Sequence, residues 1–393
     1  MIRLDTMAGL SAWYIALVVS LLGGLMLPSM VGAQAGFYVT PSFSFSEVYD
    51  DNLLSTPSHT QSERQEDFIS RFSPGIQAGY RSTPLTLLGS YSFDAEVFAE
   101  HTEHTAAQAR QRASLDWTYL PSRLLTLSLT GSYLRTQTPR DINVTTGVDL
   151  GRALAQTYTA QPSIVYHLDP LTTGTTSYAF SQIEVSGGVT SHTHSINLGL
   201  DRQVTPGDSV NLGYIFRRFD FDVGETTTSH AFTLGWTHKL AQLTSLSLRA
   251  GPRFSQGSID VEISASLSQQ LQHGQLSLTY TRSNGAVTGV PGAVNVDSVT
   301  ATLAYQPWRF LKVSATPQFS RSTGNNFDTK VYQASLNGTY QVNQWISVQA
   351  SYQFSLQQGS TVSLASPVGS GNGDIYHNIF FVTLAITRPY RVY

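Results

Sequence analysis

The strongest constraint on the fold is a period of two in the apolar side chains, which recurs along most of the chain after residue 36. In 125–133, leucine, glycine and tyrosine alternate with threonine and serine, and 346–355 alternates apolar residues with serine and glutamine. Successive side chains of a β-strand point to opposite faces. The pattern therefore predicts an all-β chain whose strands have one apolar and one polar face, because a helix would place the serines in its core.

Short turn clusters separate these segments at intervals of mostly roughly 31 to 39 residues, the length of one hairpin. Longer polar loops lie between them, at 50–66, 138–152, 284–295 and 361–374. We count about eighteen strands, or sixteen if Thr172–Val185 and Val261–Leu271 are weak or miscounted strands. No long third loop that folds inward is evident. The turn clusters are Thr83-Pro84, Pro121-Ser122, Asp169-Pro170, Pro206-Gly207, Ala241-Gln242, His273-Gly274, Pro307-Trp308 and Asn343-Gln344.

Aromatic side chains gather at both ends of the segments. Phe310 and Phe319, like Trp345 and Phe354, lie nine residues apart on one face. Nine residues of a strand tilted by about 40° rise roughly 23 Å, close to the height of the lipid-facing band of a membrane barrel. A soluble β-sandwich has no reason for two aromatic belts at that separation. The prediction is a transmembrane antiparallel up-and-down β-barrel.

Composition agrees with a membrane barrel, since only 12% of the residues are charged, about half the usual fraction of a soluble protein. After the N-terminus, no run of about 20 apolar residues could form a membrane helix. The chain ends with the alternating segment 380–387 and a terminal aromatic residue, Tyr393. This ending resembles the signal recognised by the barrel-assembly machinery, although Pro389 predicts that the last strand closes before it.

Residues 1–35 have the features of a secretory signal peptide. Arg3 precedes an apolar core that Pro28 ends, and Ala33-Gln34-Ala35 matches the small-x-small cleavage pattern. We expect the mature chain to begin at Gly36 and the barrel domain to occupy 36–393. An uncleaved anchor helix is the alternative.

Several function classes fit the sequence poorly. The net charge of −3 argues against nucleic acid as a partner. Cysteine is absent, which excludes thiolate chemistry and cysteine metal sites. No serine, histidine and acid set stands in a motif that would indicate a barrel hydrolase. We expect neither catalysis nor a cofactor.

The segment Pro41 to Asn52, PSFSFSEVYDDN, is the most distinctive in the chain. It resembles the opening of β-barrel porin family 2, in which a first strand runs into a Tyr-Asp-Asp-Asn turn. It is also similar to outer-membrane barrels associated with exopolysaccharide and exosortase (PEP-CTERM) systems. The resemblance implies an outer-membrane barrel with a poorly defined transported substrate.

Charged residues that share the parity of serines and threonines should face the lumen, because a charge on the lipid face at mid-bilayer costs about 2–4 kcal/mol. Rings of arginine and lysine favour anions in a pore. Two acids of lumen parity, Asp116 and Asp201, would counter that preference by neutralising some of the cations. The predicted pore-lining residues are Arg71, Arg110, Arg112, Asp116, Arg249, Arg253 and Lys312.

Two clusters raise the question of metal binding. Asp50, Asp51 and Asn52 could bind a divalent cation, or they could simply form a turn, which aspartate and asparagine tolerate. In the segment 100–104, two histidines three residues apart would face opposite sides of a strand unless the loop turns there. His192 and His194 share a face but lack further ligands for zinc. We favour polar surface roles for the histidines.

The sequence therefore predicts a Gram-negative outer-membrane porin-like channel, reached by signal-peptide-dependent export, for passive diffusion of small hydrophilic solutes. Its expected partners are outer-membrane lipids and lipopolysaccharide, the barrel-assembly machinery, and small solutes or a polysaccharide. One alternative is a barrel for exopolysaccharide export or surface assembly. The other is a non-conducting structural or adhesive barrel.

Overall fold

A computed structural model describes residues 36–58, 64–324, 327–361 and 371–392, and these residues form a closed antiparallel β-barrel. The predicted fold class and the count of eighteen barrel strands are confirmed. The barrel strands are β1 Gly36–Asp50, β2 Asp67–Arg81, β3 Leu85–Phe98, β4 Ala106–Tyr119, β5 Leu125–Thr136, β6 Ala155–Asp169, β7 Thr172–Val185, β8 Ser191–Gln203, β9 Asp208–Phe221, β10 Thr227–Ala241, β11 Thr244–Ser255, β12 Ser258–Leu271, β13 Gly274–Ala286, β14 Ala293–Trp308, β15 Leu311–Gly324, β16 Phe327–Gln341, β17 Ile346–Thr361 and β19 Ile375–Thr387.

Each barrel strand pairs with the next, and β19 closes the ring by pairing with both β17 and β1. Two short strands complete the sheet. β18 (Gly371–Asn372) pairs with the end of β17, and β20 (Tyr390–Val392) pairs with the start of β1. Closure satisfies the backbone hydrogen bonds of every strand edge, which lipid could not do. As predicted, the last barrel strand, β19, ends before Pro389, although pairing with β1 resumes beyond the proline in β20.

The two faces of the wall differ as the alternation predicts. Large apolar side chains such as Phe37, Leu234 and Leu336 are exposed on the outside. The residues that alternate with them along each strand place serine, threonine, glutamine and asparagine on the lumen face. Aromatic rings stack on the outside across neighbouring strands, with centroids 5.0 Å apart for Phe319 and Tyr332. Within the described ranges, no helix is both long and apolar enough to span a bilayer.

The two ends of the barrel are unlike each other. At one end, short turns join the strands at 82–84, 120–124, 170–171, 204–207, 242–243, 272–273, 309–310 and 342–345. This agrees with the predicted turns, except that Pro307-Trp308 lies at the end of β14. At the opposite end several connections are longer, 99–105 and 137–154 among them, whereas 256–257 is as short as the turns of the first end. The predicted signal peptide and cleavage site, 1–35, lie outside the described residues, so they remain predictions.

The third of the longer loops folds into the lumen, although no such constriction is evident in the sequence. Residues 137–154, here called the crossing loop, leave β5 and dock on β15, β16 and β17. Around the ring, seven strands lie between β5 and β15 on one side and nine on the other, so the loop crosses the lumen almost diametrically. The alternation could not show this, because a loop has no strand periodicity.

A small apolar core holds the crossing loop inside the barrel. Val148 and Leu150 of the loop are almost fully buried, at 0% and 1% exposure. They pack with Val287 and Val290 of the β13–β14 tip, residues 287–292, and with wall residues Val294, Val296, Phe327 and Val331. The tip also reaches the β7–β8 loop, where Gly289 pairs with Val189. The end of the barrel with longer loops is therefore narrowed by two packed loops.

Candidate functional site

The crossing loop is bound to the far wall through its backbone. Ser320 donates a hydrogen bond to the carbonyl oxygen of Thr146 at 2.5 Å, and Gln318 donates to that of Thr145 at 3.1 Å. The backbone amide of Asp149 donates to Oε1 of Gln357 at 2.7 Å. These partners lie on β15 and β17, and all of them are lumen-facing residues. Polar lumen side chains thus satisfy the loop backbone that would otherwise lie unpaired in the barrel.

Four ionisable side chains fix the loop to the wall, and we call Asp50, Arg140, Asp149 and His377 the latch. Nε2 of His377 lies 2.7 Å from the Asp50 carboxylate, and Nδ1 lies 3.2 Å from that of Asp149. Arg140 lies 3.7 Å from Asp149 and donates to Ser355 on β17 at 2.9 Å. All but Arg140 are buried, so the charges are paired where water does not reach them.

Asp149 is ionised at physiological pH. Burial would raise the pKa of its carboxyl group, but the hydrogen bond and charge of His377, together with the charge of Arg140, lower it to about 2. A hydrogen bond from Ser55 of the β1–β2 loop adds to this. The latch therefore joins the crossing loop to two other parts of the molecule, the β1–β2 loop and the wall formed by β17 and β19.

The near wall, formed by β2, β3 and β4, carries a network of arginines and acids. Arg110 pairs with Asp141 of the crossing loop and lies 3.8 Å from Asp94. Arg112 lies 3.2 Å from the same aspartate. These charges are mutually compensated and they anchor the first turn of the crossing loop to its own wall.

Glu96 is the second acidic partner on the near wall. Its carboxylate lies 2.8 Å from Arg71 and 3.6 Å from Arg152, at the far end of the crossing loop. The guanidinium of Arg152 also lies 4.8 Å from the ring centre of Phe98. Both ends of the crossing loop are therefore held by charged pairs on the β2–β4 wall.

A second network lies on β9, β11 and β12. Glu262 accepts from Arg217 at 2.8 Å and from Arg253 at 3.1 Å. Arg253, which is 1% exposed, also pairs with Asp260 at 2.8 Å. The cations are again matched by acids.

All seven predicted pore-lining residues lie on the lumen face by strand register. Arg71 is opposite Ser46, Arg110 is opposite Asp94, and Arg253 is opposite Ala231. Asp116, Arg249 and Lys312 are exposed and lie nearer the short turns. Among the described residues these three make no ion pair. The structure thus separates the predicted set into paired residues toward the end with the longer loops and unpaired residues nearer the short turns.

The predicted cation cluster forms an ion-pair and hydrogen-bond network instead of an open set of ligands. One atom each of Asp50, Asp51 and His377 lies within 4.8 Å of the others. However, the Asp51 carboxylate pairs with Arg64 at 2.5 Å and accepts two hydrogen bonds from Asn378. The Asn52 side chain binds the backbone of Thr56 and Tyr376. Cation binding here remains only a prediction.

The histidine pairs lie in different surroundings. A short 3-10 turn, Thr102–His104, brings the rings of His101 and His104 to 6.4 Å, and His101 hydrogen-bonds Asp67. His192 and His194 lie on the outer face, beside the ring of Phe180.

Sequence reasoning missed the acids that pair with the lumen arginines, the histidine of the latch and the apolar residues that bury the crossing loop. Asp94, Glu96 and Glu262 share the lumen parity of the arginines, so the same parity count would have found them. His377 also has lumen parity in the last barrel strand. Val148 and Leu150 gave a different signal, since two large apolar residues in a polar loop must be buried somewhere.

Comparison with known proteins agrees with the fold. No family model and no curated protein matches the chain, so the resemblance of 41–52 to β-barrel porin family 2 rests on those residues. The outer-membrane protein OpdK of Pseudomonas aeruginosa matches with a TM-score of 0.50 and 10% identity, covering 90% of this chain and 99% of OpdK. The fold is that of an outer-membrane β-barrel. OccAB4 of Acinetobacter baumannii matches with a TM-score of 0.49 and 10% identity, covering 91% and 99% of the two chains.

Proposed function

We propose that the protein is an outer-membrane channel for passive diffusion of small hydrophilic solutes, and that the crossing loop narrows its lumen. The observation that carries the proposal is the closed ring of eighteen strands with a polar inner face and a loop docked across it. A ring of this size encloses more space than its strand side chains can fill. The loop and the β13–β14 tip occupy part of that space and set the size of solute that passes.

The same charges that shape the lumen predict weak ion selectivity. Toward the end with the longer loops, arginines are matched by acids in both networks. Paired charges leave little net field for a passing ion. Nearer the short turns, the exposed cations Arg249 and Lys312 are matched in number by the acids Asp116 and Asp201, which leaves little preference for ions of either sign.

The proposed location is the outer membrane, reached by export with a signal peptide and insertion by the barrel-assembly machinery. Lipid and lipopolysaccharide would contact the apolar outer face. The fold and the exposed aromatic belts support this location.

Liposome swelling with neutral solutes of increasing size tests the proposal, together with conductance in a planar bilayer. We expect steady conductance and a size cut-off below that of a barrel lacking residues 138–152. A folded, heat-modifiable protein that neither swells liposomes nor conducts would refute the channel and leave a non-conducting structural barrel. Passage of acidic polymer in preference to small solutes would instead favour exopolysaccharide export.

A further inference from the structure

A polar cavity of about 450 Å³ lies at the end of the barrel that carries the longer loops. Its walls come from the β9–β10 and β11–β12 loops, the β13–β14 tip and the adjoining ends of β14 and β15. This volume is within the ~300–1,000 Å³ of small-molecule sites. The polar groups that line it include Glu225, Arg253, Gln256, Asp260, Asn284 and Asn295.

Arg253 is the organising residue of this cavity. Its guanidinium is bound by Glu262, Asp260 and Asn295, and the Nε atom is buried without a hydrogen-bond partner among the described residues. A buried donor without a partner is costly, and a ligand oxygen or water that reaches this nitrogen would remove that cost. The fixed Arg253 and Asp260 place donors and acceptors side by side without any rearrangement.

Charges of both signs line the cavity, the cation Arg253 and the acids Asp260 and Glu225, and this decides the chemical class of an occupant. Arg253 and Arg282 both pair with Asp260, and Arg253 also pairs with Glu262. An anion would meet these acids and Glu225, while a cation would meet the guanidinium groups. A neutral polyhydroxylated solute meets neither penalty, because each hydroxyl group both donates and accepts a hydrogen bond.

We propose that this cavity binds a neutral sugar or polyol before it enters the narrowed lumen. One wall of the cavity is Gly292, Ala293 and Val294, and Val294 also belongs to the core that packs on the crossing loop. A bound solute would therefore sit next to the loops that narrow the channel. The inference rests on the proposed channel function for its role in transport and names the class of solute.

Titration calorimetry on the detergent-solubilised full-length barrel tests the site independently of conduction. The probes are sucrose, the anion glucuronate and the cation glucosamine. We expect sucrose to bind and both charged sugars to bind more weakly. Asn295→Ala removes one polar group of the cavity and should weaken sucrose binding roughly fivefold, whereas the control Asn337→Ala, in a different part of the lumen, should not.

Three results would overturn the proposed site. They are the absence of a heat of binding with sucrose, tighter binding of either charged sugar, and an unchanged sucrose affinity in a folded Asn295→Ala barrel. Glu225→Gln, in a loop outside the strands, gives a second variant if Asn295→Ala does not fold, and it should weaken sucrose binding as well. If it left sucrose affinity unchanged, the proposed site would be overturned. Sucrose binding by a barrel that does not conduct would refute the proposed channel and support the binding site. Conduction without sucrose binding would support the channel and refute the binding site.

Discussion

Replacing His377 with glutamine should release the crossing loop while leaving the barrel closed. His377 is 3% exposed and stands between the carboxylates of Asp50 and Asp149, at 2.7 Å and 3.2 Å. Glutamine can keep at most part of this hydrogen bonding and carries no charge. Each ring nitrogen of His377 faces a carboxylate, so both nitrogens carry a proton and the ring is a cation. The substitution would remove this cation from between two buried carboxylates, whereas the backbone pairing of β19 with β1 and β17 would stay.

The size of the effect follows from the burial of the latch. Removing one partner of a buried ion pair costs about 3–5 kcal/mol, because the remaining charge is left uncompensated. Each ~1.4 kcal/mol changes an equilibrium tenfold. The ratio of docked to released loop should therefore fall by roughly two to three and a half powers of ten. Arg140 partly compensates for Asp149, so the lower figure is the better expectation.

Single-channel recording in planar bilayers measures this release. The His377→Gln channel should show a larger mean conductance and more current noise than the wild-type channel. His167→Gln, the same substitution at an exposed residue of β6, is the control and should behave like the wild type. Equal conductance and noise in folded His377→Gln and wild-type channels would refute the role assigned to the latch.

Three further predictions concern the lumen. The pKa of Asp149 is lowered to about 2 from 3.8, so the ionised carboxylate contributes roughly 2 kcal/mol to docking of the loop. This contribution is complete above about pH 4 and disappears as the pH falls toward 2. Current noise should therefore rise only below about pH 4, and a rise centred near pH 6 would contradict this. Arg249→Glu should shift the reversal potential in a salt gradient toward cations, and an unchanged potential would show that Arg249 is not near the ion path. Leu150→Ala should weaken loop docking by about 2–5 kcal/mol, seen as faster tryptic cleavage of the crossing loop at unchanged barrel melting, and an unchanged cleavage rate would contradict the apolar core.

The barrel was predictable because its signals are periodic. Alternation, turn spacing and aromatic belts each report the strand wall, and the lumen parity of Arg110 or Arg253 follows from the same count. The weak segment Thr172–Val185 is a full strand, β7, although its apolar face contains threonine and glycine. Its neighbours supply the pairing that its own composition does not demand.

The path of the crossing loop was not predictable from pattern alone. Its docking depends on contacts between residues about 170 to 230 positions apart, such as Thr146 with Ser320 and Asp149 with His377. These contacts need the closed ring, in which β19 lies between β17 and β1. Val148, Leu150 and the lumen parity of His377 are visible in the sequence, but they do not say which wall the loop will meet.

The most direct test of a loop docked across the lumen is a disulfide between Thr146→Cys and Ser320→Cys, since the natural chain contains no cysteine. The hydroxyl of Ser320 contacts the backbone of Thr146 in the folded protein. The account predicts that the pair oxidises readily in membranes and that the locked barrel still conducts with wild-type amplitude. A second double variant pairs Thr146→Cys with Ser132→Cys, which lies on the wall that the loop leaves. If this second pair formed a disulfide and the Thr146→Cys, Ser320→Cys pair stayed reduced, the crossing loop would not span the lumen.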